Sequence, residues 1–225
     1  SVATAPPHSA PLVRTPHELA WHLTGLIGYL KADEFDREIK LGGEDGDVPC
    51  IVHVESPTRV ALRSTIFGDA MQRATLAVVT FGEAQHPFGN YQKHEDALIY
   101  LRTRYVQDEG VKSILDVVGN IANEEVQSVS DDGFAQQVTQ KAGIQRLEKT
   151  TVPNPVKLVP FRTFREVDQP QSEFLIRMKG AEAGTPPMLA VFETDGGAWR
   201  QAAVESIKTY LVKELGEGSP FVVIG

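Results

Sequence analysis

The sequence predicts an α+β fold: a mainly antiparallel sheet with flanking helices, forming a single domain over residues 14–225 behind a Pro-rich flexible arm over residues 1–13. Three observations predict it. Runs of period-two hydrophobicity outnumber runs of helical period, the two kinds come in blocks without strict βαβ alternation, and short stretches of turn chemistry separate the strand runs. A chain of 225 residues buries roughly 70% of the surface its unfolded form exposes, so it needs neither disulfide nor metal to fold.

The elements follow in order. Pro6, Pro7 and Pro11 among small residues make the arm extended rather than packed. Thr15-Pro16-His17-Glu18 is a capping box with proline at the first helical position, and Leu19, Leu23, Leu26, Ile27 and Leu30 follow at helical spacing. The first helix is therefore expected from the Thr15 cap to about Lys31. Val48 to Glu55 and Thr58 to Ile66, split by Ser56-Pro57, predict a hairpin, and Thr75 to Phe81 a further strand. Helices are expected over Lys93 to Val106 and from Glu109 to about Asn123, the second with Val111, Ile114, Leu115, Val118 and Ile121 in one apolar stripe.

Glu125 to Ser130 and Phe134 to Ile144 predict a second hairpin, turning at Asp131-Asp132-Gly133. Val156 to Phe164, Ser172 to Met178 and Met188 to Glu193 read as strands. The last helix, Gly197 to Leu215, is predicted to pack Trp199, Ile207, Tyr210 and Leu211 against strands containing Phe174, Ile176, Leu189 and Val191. Phe221 to Ile224 forms a short closing strand or a docked tail.

Composition bears on function by exclusion. With 30 Asp+Glu against 22 Lys+Arg the net charge is −8, which argues against a diffuse basic nucleic-acid footprint. No apolar run approaches the length of a membrane span, so no membrane partner is expected. The N-terminus lacks a basic segment followed by an apolar one. The single cysteine, Cys50, lies in the apolar run Val48 to Val54 and is expected as a buried, inert thiol in a reducing compartment.

Each candidate for chemistry competes with a plainer role. His17 and His22 are five apart, on different helix faces, while His86 and His94 flank Pro87-Phe88-Gly89-Asn90, expected as an exposed loop entering a helix. Asp33, Asp36, Glu38 and Lys40 group like the carboxylate–lysine set of metal-dependent nucleases, and would need His53 or His94 to converge with them. Their polar surroundings, running into Gly42, Gly43 and Gly46, are those of a solvated connection. Glu193 and Asp195 precede the last helix and suit capping better than phosphate binding. Phosphate-loop, dinucleotide and GxSxG motifs do not occur. No catalytic, metal or cofactor-binding residue is predicted, and no cofactor. Arg162, Arg165 and Arg177 alternate with Glu166, Asp168 and Glu173 beside Phe161, Phe164 and Phe174. That pattern suits stacking of single-stranded nucleic acid or a half-buried sheet face with ion pairs or an oligomer contact. The equal share of acids favours the sheet.

One stretch carries a resemblance. Asp131-Asp132-Gly133, Lys141-Ala142-Gly143-Ile144, Val152-Pro153-Asn154-Pro155-Val156, Pro160-Phe161-Arg162-Thr163-Phe164, Gln169 to Phe174 and Phe192 to Trp199 together resemble the second half of small proteins encoded in phage and prophage genomes. The likeness covers about residues 125–215. The overall layout is similar to that of the YfdQ-type domain of unknown function. The resemblance implies origin rather than a site: a phage or prophage product acting in the bacterial host cytoplasm or the virion. The expected function is accordingly a non-enzymatic protein working through protein–protein contacts, a self-assembling homo-oligomer (ring or shell) whose partner is itself, with a host or phage protein as a further partner. Two alternatives are a metal-dependent nuclease or phosphodiesterase built on the Asp33 to Lys40 group, and an acidic decoy of a host nucleic-acid-binding or defence protein. The decoy suffers from interspersed Lys and Arg, which keep the charge density far from that of a phosphate chain.

Overall fold

The structure, a computed structural model, describes residues 15–32, 50–66, 71–121, 125–131, 136–142, 146–179 and 187–225. The expected arm and the Asp33 to Lys40 group lie outside these residues. The chain begins with β1 (His17–Leu19), α1 (Leu23–Lys31), β2 (Ile51–Ser56), β3 (Arg59–Arg63) and β4 (Thr75–Thr80). There follow β5 (Gln92–Lys93), α2 (His94–Thr103), α3 (Glu109–Ile121), β6 (Glu125–Asp131), β7 (Gln136–Ala142) and β8 (Arg146–Val152). β9 (Val156–Leu158), β10 (Ser172–Lys179), β11 (Met188–Glu193), α4 (Trp199–Leu215) and β12 (Val222–Ile224) complete it. The class is α+β, and among the described residues only the β1–β4 and β12–β2 pairings are parallel. The chain groups into two compact units, residues 1–82 with 204–225, and residues 83–203.

The first unit holds a five-stranded sheet in the order β1-β4-β3-β2-β12. Val60, Ala61 and Leu62 are buried in succession, as are Leu76, Ala77, Val78 and Val79, so β3 and β4 are covered on both faces. The Ser56-Pro57 hairpin forms as expected, with Val54 opposite Val60. The first helix starts later than expected, at Leu23, with His22 at its N-cap in extended conformation. Residues 17–19 leave the predicted helix to pair in parallel with Ala77, Val78 and Val79. The capping box is a local signal worth about 1 kcal/mol. A strand laid along the open edge of β4 satisfies several backbone groups at once, and tertiary pairing overrides the local preference. The helix stripe itself survives: Leu23, Leu26, Ile27 and Leu30 are all buried.

The second unit contains a four-stranded sheet, β5-β11-β10-β9, and a three-stranded one, β6-β7-β8. The expected second hairpin is thus the first part of a meander, with β8 paired along the whole of β7. Ala97 and Leu101 of α2 and Val111, Ile114, Val118 and Ile121 of α3 share one core with Phe174, Ile176, Met178, Leu189 and Val191 of β10 and β11. These two helices cover the face that sequence assigned to the last helix. In α4, Trp199, Ala203, Ile207 and Leu211 are buried as predicted, and Tyr210 is half-buried. Ile207 and Leu211 belong with the first unit, however, and not with the Phe174 sheet. Periodicity identifies which face of a helix is buried, not which element buries it.

The expected strand over residues 156–164 ends at Leu158. Beyond it Val106 N–H donates to Val159 C=O and Phe161 N–H to Arg104 C=O, both at 2.9 Å, around a single Tyr105–Pro160 bridge. The following loop is organised by one side chain. Gln169 Oε1 accepts from the N–H groups of Arg162 and Thr163, and its Nε2 donates to the carbonyls of Thr163, Phe164 and Val167.

Candidate functional site

Two places in the described residues concentrate chemistry: a buried arginine network in the second unit and an open sheet edge in the first.

Arg162 is fully buried, contrary to its expected place on a half-exposed sheet face. The Gln169-tied loop delivers it to the end of β10 and β11, where Phe174 and Glu193 are cross-strand neighbours. Its Nη1 pairs with the Glu193 carboxylate. Nη2 donates to Pro170 C=O at 3.0 Å and to Ser172 Oγ at 2.6 Å. The guanidinium carbon lies 4.3 Å from the Trp199 ring centroid and 5.7 Å from that of Phe174, a cation stacked on aromatic faces. Burial weakens the hold of the guanidinium on its proton, and the Glu193 and Asp195 carboxylates oppose that effect. Ser172 Oγ in turn donates to Asp195 Oδ2 at 2.5 Å, while Asp195 Oδ1 accepts from Gly197 N–H at 2.9 Å on the way into α4. Burial raises the Asp195 pKa, but these two donors and the Arg162 charge outweigh it and the carboxyl sits below its ordinary range. Asp195 thus caps the approach to the helix, and Glu193 serves the arginine instead.

An open cleft of about 410 Å³ lies beside this network, lined among others by Lys157, Ser172, Glu173, Thr194, Asp195 and Trp199. Its two hydroxyls and the Asp195 carboxylate are already engaged. Thr194 Oγ1 donates to Glu173 C=O, and the Ser172 hydroxyl both accepts from Arg162 and donates to Asp195. A hydroxyl so committed, with no imidazole among the lining residues, has no base to activate it as a nucleophile. The network holds two strands, a loop and a helix start together.

The other arginines disperse. Arg165 forms a two-pronged pair with Glu83 and stacks on Phe161 at 3.4 Å, while Phe164 is fully buried. The aromatic–arginine alternation therefore does not make one surface, because residues 161–171 are not a strand.

The histidines do not assemble either. His17 is exposed on β1, His22 stands at the N-cap position of α1 without a side-chain capping bond, and His53 lies half-buried on β2. His94 Nε2 is 3.0 Å from Val118 C=O, tying the start of α2 to α3. His86, expected on an exposed loop, is only 4% exposed. Its ring lies 4.9 Å from Phe88, 5.4 Å from Tyr105 and 5.8 Å from Tyr100, centroid to centroid. Among the described residues neither ring nitrogen, nor the Tyr105 hydroxyl, has a hydrogen-bond partner. Burial, aided by the Arg104 charge, lowers the His86 pKa to about 4. Among the described residues no three His, Cys, Asp or Glu side chains group as metal ligands. Cys50 is buried, and burial pushes its thiol pKa up.

The sheet edges are distinctive. Among the described residues the three sheets present six edge strands: β1, β12, β5, β9, β6 and β8. Five carry charge in their sequence: Glu18 in β1, Lys93 in β5, Lys157 in β9, Glu125 and Asp131 in β6, and Arg146, Glu148 and Lys149 in β8. Charge on an edge is a common guard against pairing with another chain. β12 reads Val222-Val223-Ile224 and has none. Val222 and Ile224 are 44% and 39% exposed, and among the described residues the strand is paired on one side only, by β2. The free stretch of β10 is also closed. Where β9 stops, the Asn154 amide takes up Ile176 N–H and C=O at 2.6 and 3.1 Å. Two residues on, the Gln136 amide does the same for Met178 at 2.7 and 2.8 Å.

No family model, curated protein or solved structure matches the chain.

Proposed function

We propose that this chain is a non-enzymatic protein that works through protein–protein contacts and assembles with copies of itself. The observation that carries the reading is the β12 edge: uncharged, β-branched, exposed and, among the described residues, paired on one side only, where the other described edges are charged or closed by side-chain amides. Leaving such an edge open invites aggregation unless a partner strand occupies it. Most of the exposed large apolar side chains also belong to the same unit, namely Trp21, Met71, Val212, Val222 and Ile224, and apolar side chains left in water are the raw material of a protein interface.

The likeness of residues 125–215 to phage and prophage proteins supports an origin there, with assembly in the bacterial cytoplasm or in the virion as a ring or shell. No helix of the described residues is long and apolar enough to cross a membrane, in keeping with protein rather than lipid as the partner. Size-exclusion chromatography with light scattering tests the reading. A mass that is a multiple of 24.7 kDa at micromolar concentration is expected, and a clean monomer overturns it.

A further inference from the structure

We infer that β12 pairs with β12 of a second copy, antiparallel about a two-fold axis through Val223, joining two five-stranded sheets into one continuous sheet. The inference rests on the self-association proposed above and names its partner and register. The backbone sets the geometry. Val222 N–H donates inward to Cys50 C=O at 3.2 Å, and in a strand successive residues direct their N–H and C=O groups to opposite sides. The N–H and C=O of Val223 therefore point to the free edge. Two copies related by a two-fold axis at this residue exchange a reciprocal pair of hydrogen bonds, Val223 to Val223.

Side chains favour the same register. With Val223 on the axis, Val222 lies opposite Ile224 of the second copy on both sides of the axis, so the two exposed side chains of this strand cover each other. Shifting the axis to Val222 sets Val222 against itself and Ile224 against Pro220, so the match of the two exposed β-branched side chains is lost. Residues 218–225 contain no charged side chain, so self-pairing opposes no like-charged side chains. Pairing β1 with itself about its central residue would oppose Glu18 to Glu18, and β9 likewise Lys157 to Lys157. A Cβ placed on Gly225 would lie 2.9 Å from Val204 and 3.1 Å from Lys208, which puts α4 across the face of this edge. The two-fold then brings α4 of each copy to one face of the joined sheet, where Val212, two helical turns beyond Val204 and 57% exposed, gains cover.

Disulfide trapping tests the register in the full chain, whose own Cys50 is buried. Val223→Cys is expected to cross-link with itself at twice the chain mass under mild oxidation, since directly paired strand residues fall within disulfide reach. Val222→Cys mixed with Ile224→Cys should cross-link with each other more than either does alone. Ile224→Lys, with unchanged circular dichroism, should weaken dimerisation at least about tenfold. A light-scattering oligomer that forms none of these cross-links and tolerates Ile224→Lys overturns this edge and leaves self-association standing. A wild-type monomer at tens of micromolar overturns both.

Discussion

His86 and Arg162 are the residues whose burial was least legible from sequence, and each makes a measurable difference. His86 has a folded pKa of about 4, against about 6.5 for an unfolded histidine. Because the folded value is the lower one, the unfolded chain binds a proton that the folded chain refuses as pH falls between those values. Stability from this group is intact above about pH 6.5 and declines by roughly 3 kcal/mol by about pH 4. Urea denaturation at pH 7 and pH 4.5 should show that slope, and His86→Phe, which fits the aromatic cage, should remove most of it. An unchanged slope in the variant would assign the acid sensitivity elsewhere. Arg162→Met should cost about 3 kcal/mol, because Glu193, Ser172 and Pro170 lose a buried donor together. Arg162→Lys should not restore it, since an ammonium cannot stack on Trp199 while bridging the other groups. By contrast Arg165, about a third exposed in its pair with Glu83, should cost under about 1 kcal/mol when replaced by alanine. Urea midpoints at constant slope distinguish the two.

Among the elements, β10 shows how the second unit avoids an open edge. β9 pairs no further than Val156, opposite Phe174, and the amides of Asn154 and Gln136 stand in for the missing strand at Ile176 and Met178. Each amide satisfies one donor and one acceptor. Replacing either with alanine strands two backbone groups in a buried setting and should cost about 2 kcal/mol. The pair together should expose the β10 edge, read as faster hydrogen exchange at Ile176 and Met178 while Phe174, still paired with β9, stays protected. Equal protection at all three would mean that the amides are dispensable. Most strands, including the Ser56-Pro57 hairpin, were legible because alternation and turn residues are adjacent in sequence. β1 was not, because three residues under a helix cap carry no signal of the distant edge they join.

For the whole molecule, the division of the chain into residues 83–203 and the two segments around them passes through α4, between Ala203 and Val204. A helix is a cooperative element, and α4 contributes Trp199 and Ala203 to one unit and Ile207 and Leu211 to the other. Residues 14–225 are therefore expected to unfold as the one domain that sequence predicts, in a single calorimetric transition whose calorimetric and van't Hoff enthalpies agree. Two resolved transitions would make the units separate domains.

Hydrophobic period and turn chemistry, read along the chain, determined the α+β class, the antiparallel hairpins and the buried faces of α1, α3 and α4, and left residues 221–224 as a closing strand or a docked tail. They also made Cys50 a buried thiol. These are local properties, encoded within a few residues of where they act. The helices that cover the Phe174 sheet, the caging of His86, the burial of Arg162 by a loop tied to Gln169, and the isolation of β12 as the one uncharged edge among the described residues were decided by tertiary structure. Each depends on which distant segments meet, and a period of 3.6 or 2 states which face turns inward without naming the surface it will find.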